Sequence, residues 1–160
     1  MKIQMSKVDT PPSAEKISSA EAVLGTKFTN EYLDFLWGYN GAIPEANVFR
    51  ISDQNSAGVS AFVPIEKVAH EASLMDMDVT AEFFPIAYAE GGNYLCMPLS
   101  SSKKSGIYFC DHEIPGLESL TKLAESLRDF LDQLRPINRN EIKLKPGQVK
   151  KAWIDPRFLK

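Results

Sequence analysis

The pattern of hydrophobic and polar positions predicts two amphipathic helices near the start of the chain. Apolar residues at positions 17, 20 and 24 share one helical face, with Ser13 placed as N-cap and Gly25 placed to end the helix. A second helix begins after Thr29, and its apolar residues at 32, 35, 36 and 39 follow the i, i+3, i+4, i+7 spacing. Asn40-Gly41 then ends that helix.

Beyond residue 41 the apolar period changes from 3.6 to about 2, which predicts strands. Residues 48–51 and 59–63 are expected to be short strands separated by a polar loop over 52–58. Pro64 opens a short helix that fades near Met75. Strands over 83–89 and 93–99 are expected to form a hairpin closed by a two-residue turn at Gly91-Gly92, and a further strand covers 106–110.

A two-residue turn would place Tyr88 opposite Leu95 and would fix which side chains share a sheet face. The face expected to lie in the core carries Phe84, Ile86, Tyr88, Leu95, Met97 and Leu99. The other face carries Pro85, Ala87, Ala89, Tyr94, Cys96, Tyr108 and Cys110. Small residues and tyrosines replace the charges of a freely solvated sheet, so we expect part of the molecule to cover this second face.

A stripe of leucines at 120, 123, 127, 131 and 134 predicts a final helix over residues 120–134, ended by Pro136. The predicted fold is therefore α+β, with an antiparallel sheet of about five or six strands and helices packed on one face. We expect residues 13–134 to form the domain, residues 1–12 an N-terminal extension, and residues 135–160 a basic extension that packs on the domain.

Composition fits one compact domain of 160 residues. No segment approaches the roughly 18 apolar residues of a membrane helix, and the first residues lack an apolar signal core, so we expect a cytoplasmic protein without membrane contact. Charge is unevenly distributed. Residues 41–120 contain 11 Asp/Glu against 4 Lys/Arg, whereas residues 135–160 contain 2 against 8. An acidic middle disfavours direct nucleic-acid binding, and the spread of the basic residues favours a solvated extension.

Candidate catalytic and metal-binding patterns are sparse. The phosphate-loop, nucleophile-elbow and zinc-protease motifs are all missing from the sequence. Asp111-His112-Glu113 is interpreted as a solvated strand end, and Cys96 and Cys110, which a zinc site would need together with His112 and a fourth ligand, as packed thiols. We therefore expect a protein that is not an enzyme and that holds no metal or other cofactor.

The order of these features resembles the SUKH superfamily, in the branch typified by the fungal cell-wall-synthesis regulator domain. The resemblance covers residues 13–134 and rests on Leu24-Gly25, Asn40-Gly41, the Gly-Gly-Asn-Tyr hairpin and the strand that ends Tyr108-Phe109-Cys110-Asp111-His112. Phe28-Thr29 and Pro98-Leu99 depart from the usual pattern. The resemblance implies an α+β domain whose bacterial members largely serve as immunity proteins that neutralise polymorphic toxins, many of them nucleases.

The resemblance and the acidic middle together predict a non-enzymatic immunity protein. Carboxylates can mimic a phosphate backbone to a basic toxin domain, and tyrosines give large contact area at low entropy cost. The expected partner is a toxin encoded by an adjacent gene. The expected contact residues are Asp76, Asp78, Glu82, Glu90, Tyr94, Tyr108, Asp111 and Glu113. Two alternatives stay open: a regulatory scaffold, for example in envelope synthesis, and an enzyme or ligand binder using Asp111-His112-Glu113 or the two cysteines.

Overall fold

The structure, a computed structural model, describes residues 4–137 as a mixed α+β fold. Its helices are α1 (Ala14–Leu24), α2 (Asn30–Tyr39), α3 (Ile65–Ser73), α4 (Met77–Thr80) and α5 (Leu127–Gln133). Its strands are β1 (Met5–Ser6), β2 (Ile43–Pro44), β3 (Val48–Ser52), β4 (Asn55–Phe62), β5 (Phe83–Ala89), β6 (Asn93–Pro98), β7 (Ile107–Cys110) and β8 (Leu120–Ala124). Most of the predicted basic extension lies outside the described residues.

The first two helices begin and end where the sequence predicts. The side chain of Ser13 accepts a hydrogen bond from the amide of Lys16 (3.2 Å), and Gly25 ends α1 in the left-handed conformation with φ of 67°. Thr29 caps α2 by accepting from the amide of Tyr32 (3.2 Å). Each cap satisfies a backbone amide that lacks a partner within its own helix, so both predictions are confirmed.

Six antiparallel strands form the main sheet in the order β3-β4-β5-β6-β7-β8, which confirms the predicted fold class. The sheet curves into a nearly barrel-shaped surface, and Phe49 of β3 reaches Phe109 of β7 with ring centroids 5.9 Å apart. After α5, Arg135 exchanges two backbone hydrogen bonds with Val48 (2.9 and 3.0 Å). Strands β1 and β2 form a separate small sheet that the hydrophobic pattern did not indicate.

The main hydrophobic core lies between one face of this sheet and helices α1, α2, α3 and α5. Phe35 of α2 packs edge-on against Phe62 of β4 at 4.6 Å between ring centroids, and Phe130 of α5 lies 5.7 Å from Phe49. Fully buried aromatic side chains contribute most of the apolar area removed from water. This confirms the prediction that the first, second and last helices share the core face.

The register predicted for the β5–β6 hairpin is wrong. A three-residue 3-10 turn, Glu90–Gly92, replaces the expected two-residue turn, with φ of 79° at Gly91 and 80° at Gly92. The longer turn moves the pairing by one residue, so that Tyr88 lies opposite Tyr94 rather than opposite Leu95. Tyr88 therefore lies beside Tyr94 and is half-buried, while it still packs against the main core.

A β-bulge between Pro85 and Ala87 then shifts the pairing again. Proline has no amide hydrogen to donate to the ladder, which makes it compatible with such an irregularity. Because of the bulge, Phe84 pairs with Met97, and five of the six predicted core residues are buried as expected: Phe84, Ile86, Leu95, Met97 and Leu99. Ala87 and Ala89, predicted for the second face, also lie in the main core.

The final leucine-rich segment is not one helix. Leu120–Ala124 forms β8, which pairs with β7, and α5 begins only after Ser126, whose side chain accepts from the amide of Asp129 (3.0 Å). A free edge of β7 offers backbone groups that a strand can satisfy, and this overrides the helical spacing of the leucines. The Ser-x-x-Asp capping pattern at residues 126–129 was the sequence signal for the true helix start.

Two smaller predictions also need correction or completion. The polar loop expected over 52–58 is a tight hairpin, because β4 already begins at Asn55. The second sheet face is covered in part, as expected: Val79 of α4 packs there in a small buried cluster with Phe83, Cys96 and Cys110. The side chains partly buried against that cluster are Met75, Tyr94, Tyr108 and Leu120.

Candidate protein-binding surface

Two tyrosines that lie opposite each other in β5 and β6 converge on one carboxylate. The hydroxyl of Tyr94 donates to Oε2 of Glu71 at 2.6 Å, and the hydroxyl of Tyr88 donates to Oε1 of the same residue at 3.1 Å. Burial, followed by the Glu71 hydrogen bond and charge, raises the pKa of Tyr88 to about 12 and raises that of Tyr94 as well. Sequence patterns alone do not indicate this cluster, because it depends on the corrected register.

Tyr108, the other tyrosine predicted for the second sheet face, has a different environment. It lies opposite Cys96 in β6, on the same face as Tyr94. Its ring packs edge-on against Phe83 at 4.9 Å between centroids and is half-buried. Most of its apolar contact is therefore made within the small cluster beneath α4.

A carboxylate joins α4 to the loop between β7 and β8. Oδ1 of Asp76 accepts from the amide of Asp78 (2.8 Å), and Oδ2 accepts from the amide of Gly116 (3.0 Å). These hydrogen bonds, first from Gly116 and then from Asp78, hold the pKa of Asp76 below its ordinary value. Asp76 thus positions the loop as well as contributing charge.

Exposed apolar side chains lie on the same two segments. Leu74 is 65% exposed and Met77 is 84% exposed, while Ile114 and Leu117 are 39% and 42% exposed. We call residues 74–78 and 111–118 together the acidic loop surface. Sequence reasoning missed these apolar members, although a methionine between two aspartates in Asp76-Met77-Asp78 was a usable signal.

The hairpin end connects to this surface through a histidine. Both the amide and Nδ1 of His112 lie within hydrogen-bond distance of Oδ1 of Asn93, at 2.9 and 2.7 Å. Asp111 accepts from the amide of Glu113 (3.0 Å), which shapes the loop. Glu90 lies in the hairpin turn, where its carboxylate approaches the backbone of Gly58. The structure therefore brings Asp111, Glu113 and the Glu90 turn to one end of the sheet.

Glu82 is separated from the other predicted contact residues at the hairpin end. It precedes β5, whereas Glu90 follows it, so the length of a seven-residue strand lies between them. Its carboxylate forms an ion pair with Lys104 at 3.4 Å, and the Lys104 ammonium lies 5.5 Å from the centre of the Phe83 ring. The structure consequently gives Glu82 a local partner.

Both cysteines are buried thiols on adjacent strands. Cys96 is 0% exposed and Cys110 is 5% exposed, and the Cys110 sulfur lies 3.5 Å from the hydroxyl of Ser119. A hydrogen bond from Cys96 lowers the pKa of Cys110 to about 7, whereas burial raises the pKa of Cys96. Their packing with Val79 agrees with the interpretation of small apolar residues.

A cleft of about 430 Å³ lies apart from the two cysteines. Lys27, Phe84, Lys104 and Leu127 are among its lining residues, whereas the candidate chemical groups of Asp111-His112-Glu113 and the two cysteines are not. Across residues 4–137, no three His, Cys, Asp or Glu side chains are grouped as a metal site would require. Within the same part of the chain, no helix is long and apolar enough to cross a membrane.

The fold and the surface define a class: an α+β domain built on one strongly curved antiparallel sheet, with carboxylates and exposed apolar side chains on neighbouring loops. A family model described as SMI1-KNR4 cell-wall, SUKH_6, matches residues 14–131. The chain therefore belongs to this SUKH family, which confirms the resemblance drawn from the sequence. No curated protein matches the chain.

Proposed function

We propose that this SUKH chain is a non-enzymatic immunity protein that acts in the cytoplasm by binding and neutralising a toxin domain. The toxin is encoded by an adjacent gene and presents a basic surface. The observation that carries the proposal is the acidic loop surface, where carboxylates surround exposed Leu74, Met77 and Leu117 on two segments held together by Asp76. The neighbouring Tyr94 extends the contact.

This mixture of side chains suits recognition of a protein. Exposed apolar residues that become buried supply most of the binding free energy, and surrounding carboxylates steer a basic partner and disfavour other partners. A nuclease domain presents a basic surface because it binds a polyanion. Since several of these carboxylates lie on loops, they can approach a concave site that a flat sheet face could not enter.

The test uses the product of the adjacent gene in pull-down and growth-protection assays. Met77→Ser combined with Leu117→Ser should reduce capture and protection at least about tenfold, because hot-spot side chains each contribute about 1–2 kcal/mol or more. Both side chains are exposed, so the fold should be retained.

A matched control combines Val23→Ser with Val8→Ser, which removes two exposed apolar side chains from other segments. This variant should protect cells as well as the unchanged chain does. The proposed surface would be contradicted if both double variants lost protection equally, or if the Met77→Ser, Leu117→Ser variant protected cells fully.

The alternative is a regulatory protein-binding domain in envelope synthesis, which the cell-wall wording of the family description favours. The same acidic loop surface would then bind a housekeeping protein. Deletion of the gene separates the two functions. An immunity gene becomes dispensable when the toxin gene is deleted as well, whereas a scaffold deletion keeps its envelope defect in that background.

A further inference from the structure

We propose that Glu71, Tyr88 and Tyr94 form a binding site for an arginine side chain of the partner protein. This inference rests on the proposed function and deepens it, because it names the chemistry of one anchor in the interface. The three residues are defined by the two tyrosine hydroxyls that converge on one carboxylate.

The geometry leaves part of the carboxylate available. An ionised carboxylate has about four lone-pair positions, and the hydroxyls of Tyr88 and Tyr94 occupy one on each oxygen. Both hydroxyls must donate, since an ionised Glu71 has no proton to give. The remaining positions can accept two parallel N–H groups, which is the arrangement that a planar guanidinium offers.

The charge of Glu71 lacks a partner of opposite sign within residues 4–137. The ion pairs between described residues join lysines to other glutamates, namely Glu21, Glu66, Glu82 and Glu125. The two tyrosine hydroxyls donate hydrogen bonds to Glu71 but do not neutralise its charge. A half-buried carboxylate without a cationic partner gains more from an incoming cation than a fully solvated carboxylate does.

The tyrosine rings supply the second element of a cation site. The ring centroids of Tyr88 and Tyr94 lie 6.0 Å apart with 40° between the ring planes, and both side chains are half-buried. A guanidinium can stack on such a ring while it donates to Glu71, and arginine is favoured over lysine because it is planar and more weakly hydrated. The tyrosines are also fixed in place, which reduces the entropy lost on binding.

The test is a nuclear magnetic resonance titration of the full chain with labelled tyrosine rings. The probe is the capped tripeptide Gly-Arg-Gly, and the matched probe is Gly-citrulline-Gly, which has a similar shape without the charge. The arginine peptide should cause saturable shifts of the Tyr88 and Tyr94 signals, and the citrulline peptide should bind at least about tenfold more weakly because charge-assisted hydrogen bonds are lost.

Variants of helix α3 identify the carboxylate responsible. Glu71→Gln should weaken binding of the arginine peptide by about tenfold. Glu66→Gln changes a glutamate on the same helix that forms an ion pair with Lys16, and it should leave the affinity for the peptide unchanged. Equal shifts with both peptides, or an unchanged affinity in Glu71→Gln, would overturn the inference. Unaltered signals from the other tyrosines would show that Glu71→Gln still folds.

The two proposals fail separately. If the arginine peptide binds at Glu71 but the adjacent-gene product does not bind the chain, the immunity function falls and the arginine site stands. If the toxin binds with the same affinity to Glu71→Gln as to the unchanged chain, the arginine site falls and the immunity function stands.

Discussion

The two faces of the main sheet differ in how they are built. One face packs against four helices in a core with several fully buried aromatic rings, including Phe49 and Phe130. The other face carries a small cluster of four buried residues. The short helix α4 packs over this cluster, and half-buried tyrosines lie beside it. The first face therefore supplies most of the stability, and the second has polar groups and exposed apolar side chains available for a partner.

This difference can be tested with the same substitution on each face. Phe130→Ala in the main core should lower the free energy of unfolding by about 4–5 kcal/mol, because a fully enclosed cavity cannot collapse. Phe83→Ala, which is equally buried beneath α4, should cost less, about 3 kcal/mol, since the short cover can move inward. Urea denaturation would measure both. A larger loss of unfolding free energy in Phe83→Ala than in Phe130→Ala would contradict this comparison of the two faces.

A smaller effect is expected at the start of α5. Ser126→Ala removes the side chain that accepts from the amide of Asp129 and should cost about 1 kcal/mol. Thermal unfolding would measure the loss, and Ser126→Asp, which keeps a capping oxygen, should recover it. Toxin binding should not change, because α5 belongs to the opposite face. Equal stability of the alanine variant and the unchanged chain would contradict the cap.

The smallest expected stability effect depends on pH. Asp76 has a lowered pKa in the folded chain, so its ionised form stabilises the fold above the unfolded value near 3.8 and this contribution is lost as the pH falls through the folded value. Asp76→Asn should be less stable than the unchanged chain at pH 7, and the difference should shrink in acid. Urea denaturation at several pH values checks this. A constant difference would indicate that the charge of Asp76 is not involved.

The sequence predicted most of the elements that local chemistry determines. Caps at Ser13 and Thr29 and the stop at Gly25 depend on neighbouring residues alone, and all three occur as expected. The hairpin register and the β8 strand depend on distant partners. A one-residue difference in turn length placed Tyr88 opposite Tyr94 instead of Leu95, and residues 120–124 pair with β7 instead of continuing the predicted helix.

The candidate surface was predicted in part for the same reason. Charge counting found Asp76, Asp78, Asp111 and Glu113, because acidic residues are visible in any sequence. It did not find Glu71 as the common acceptor for two tyrosines, since this requires α3 to lie beside the end of the β5–β6 hairpin. Glu82 and Glu90, which were predicted to share one contact surface, stand at opposite ends of the seven-residue strand β5.

The most direct test of the central claim is the association rate with the adjacent-gene toxin at low and physiological salt. Reversing charge at Asp78, Glu113 and Glu118 to lysine should slow association about tenfold or more and flatten its salt dependence, because long-range steering acts through these loops. The control reverses Glu45, Asp53 and Asp132, an equal change in net charge on other elements. This control variant should associate at a rate within about twofold of that of the unchanged chain. Equal slowing by both triple variants, or none by the first, would contradict the account.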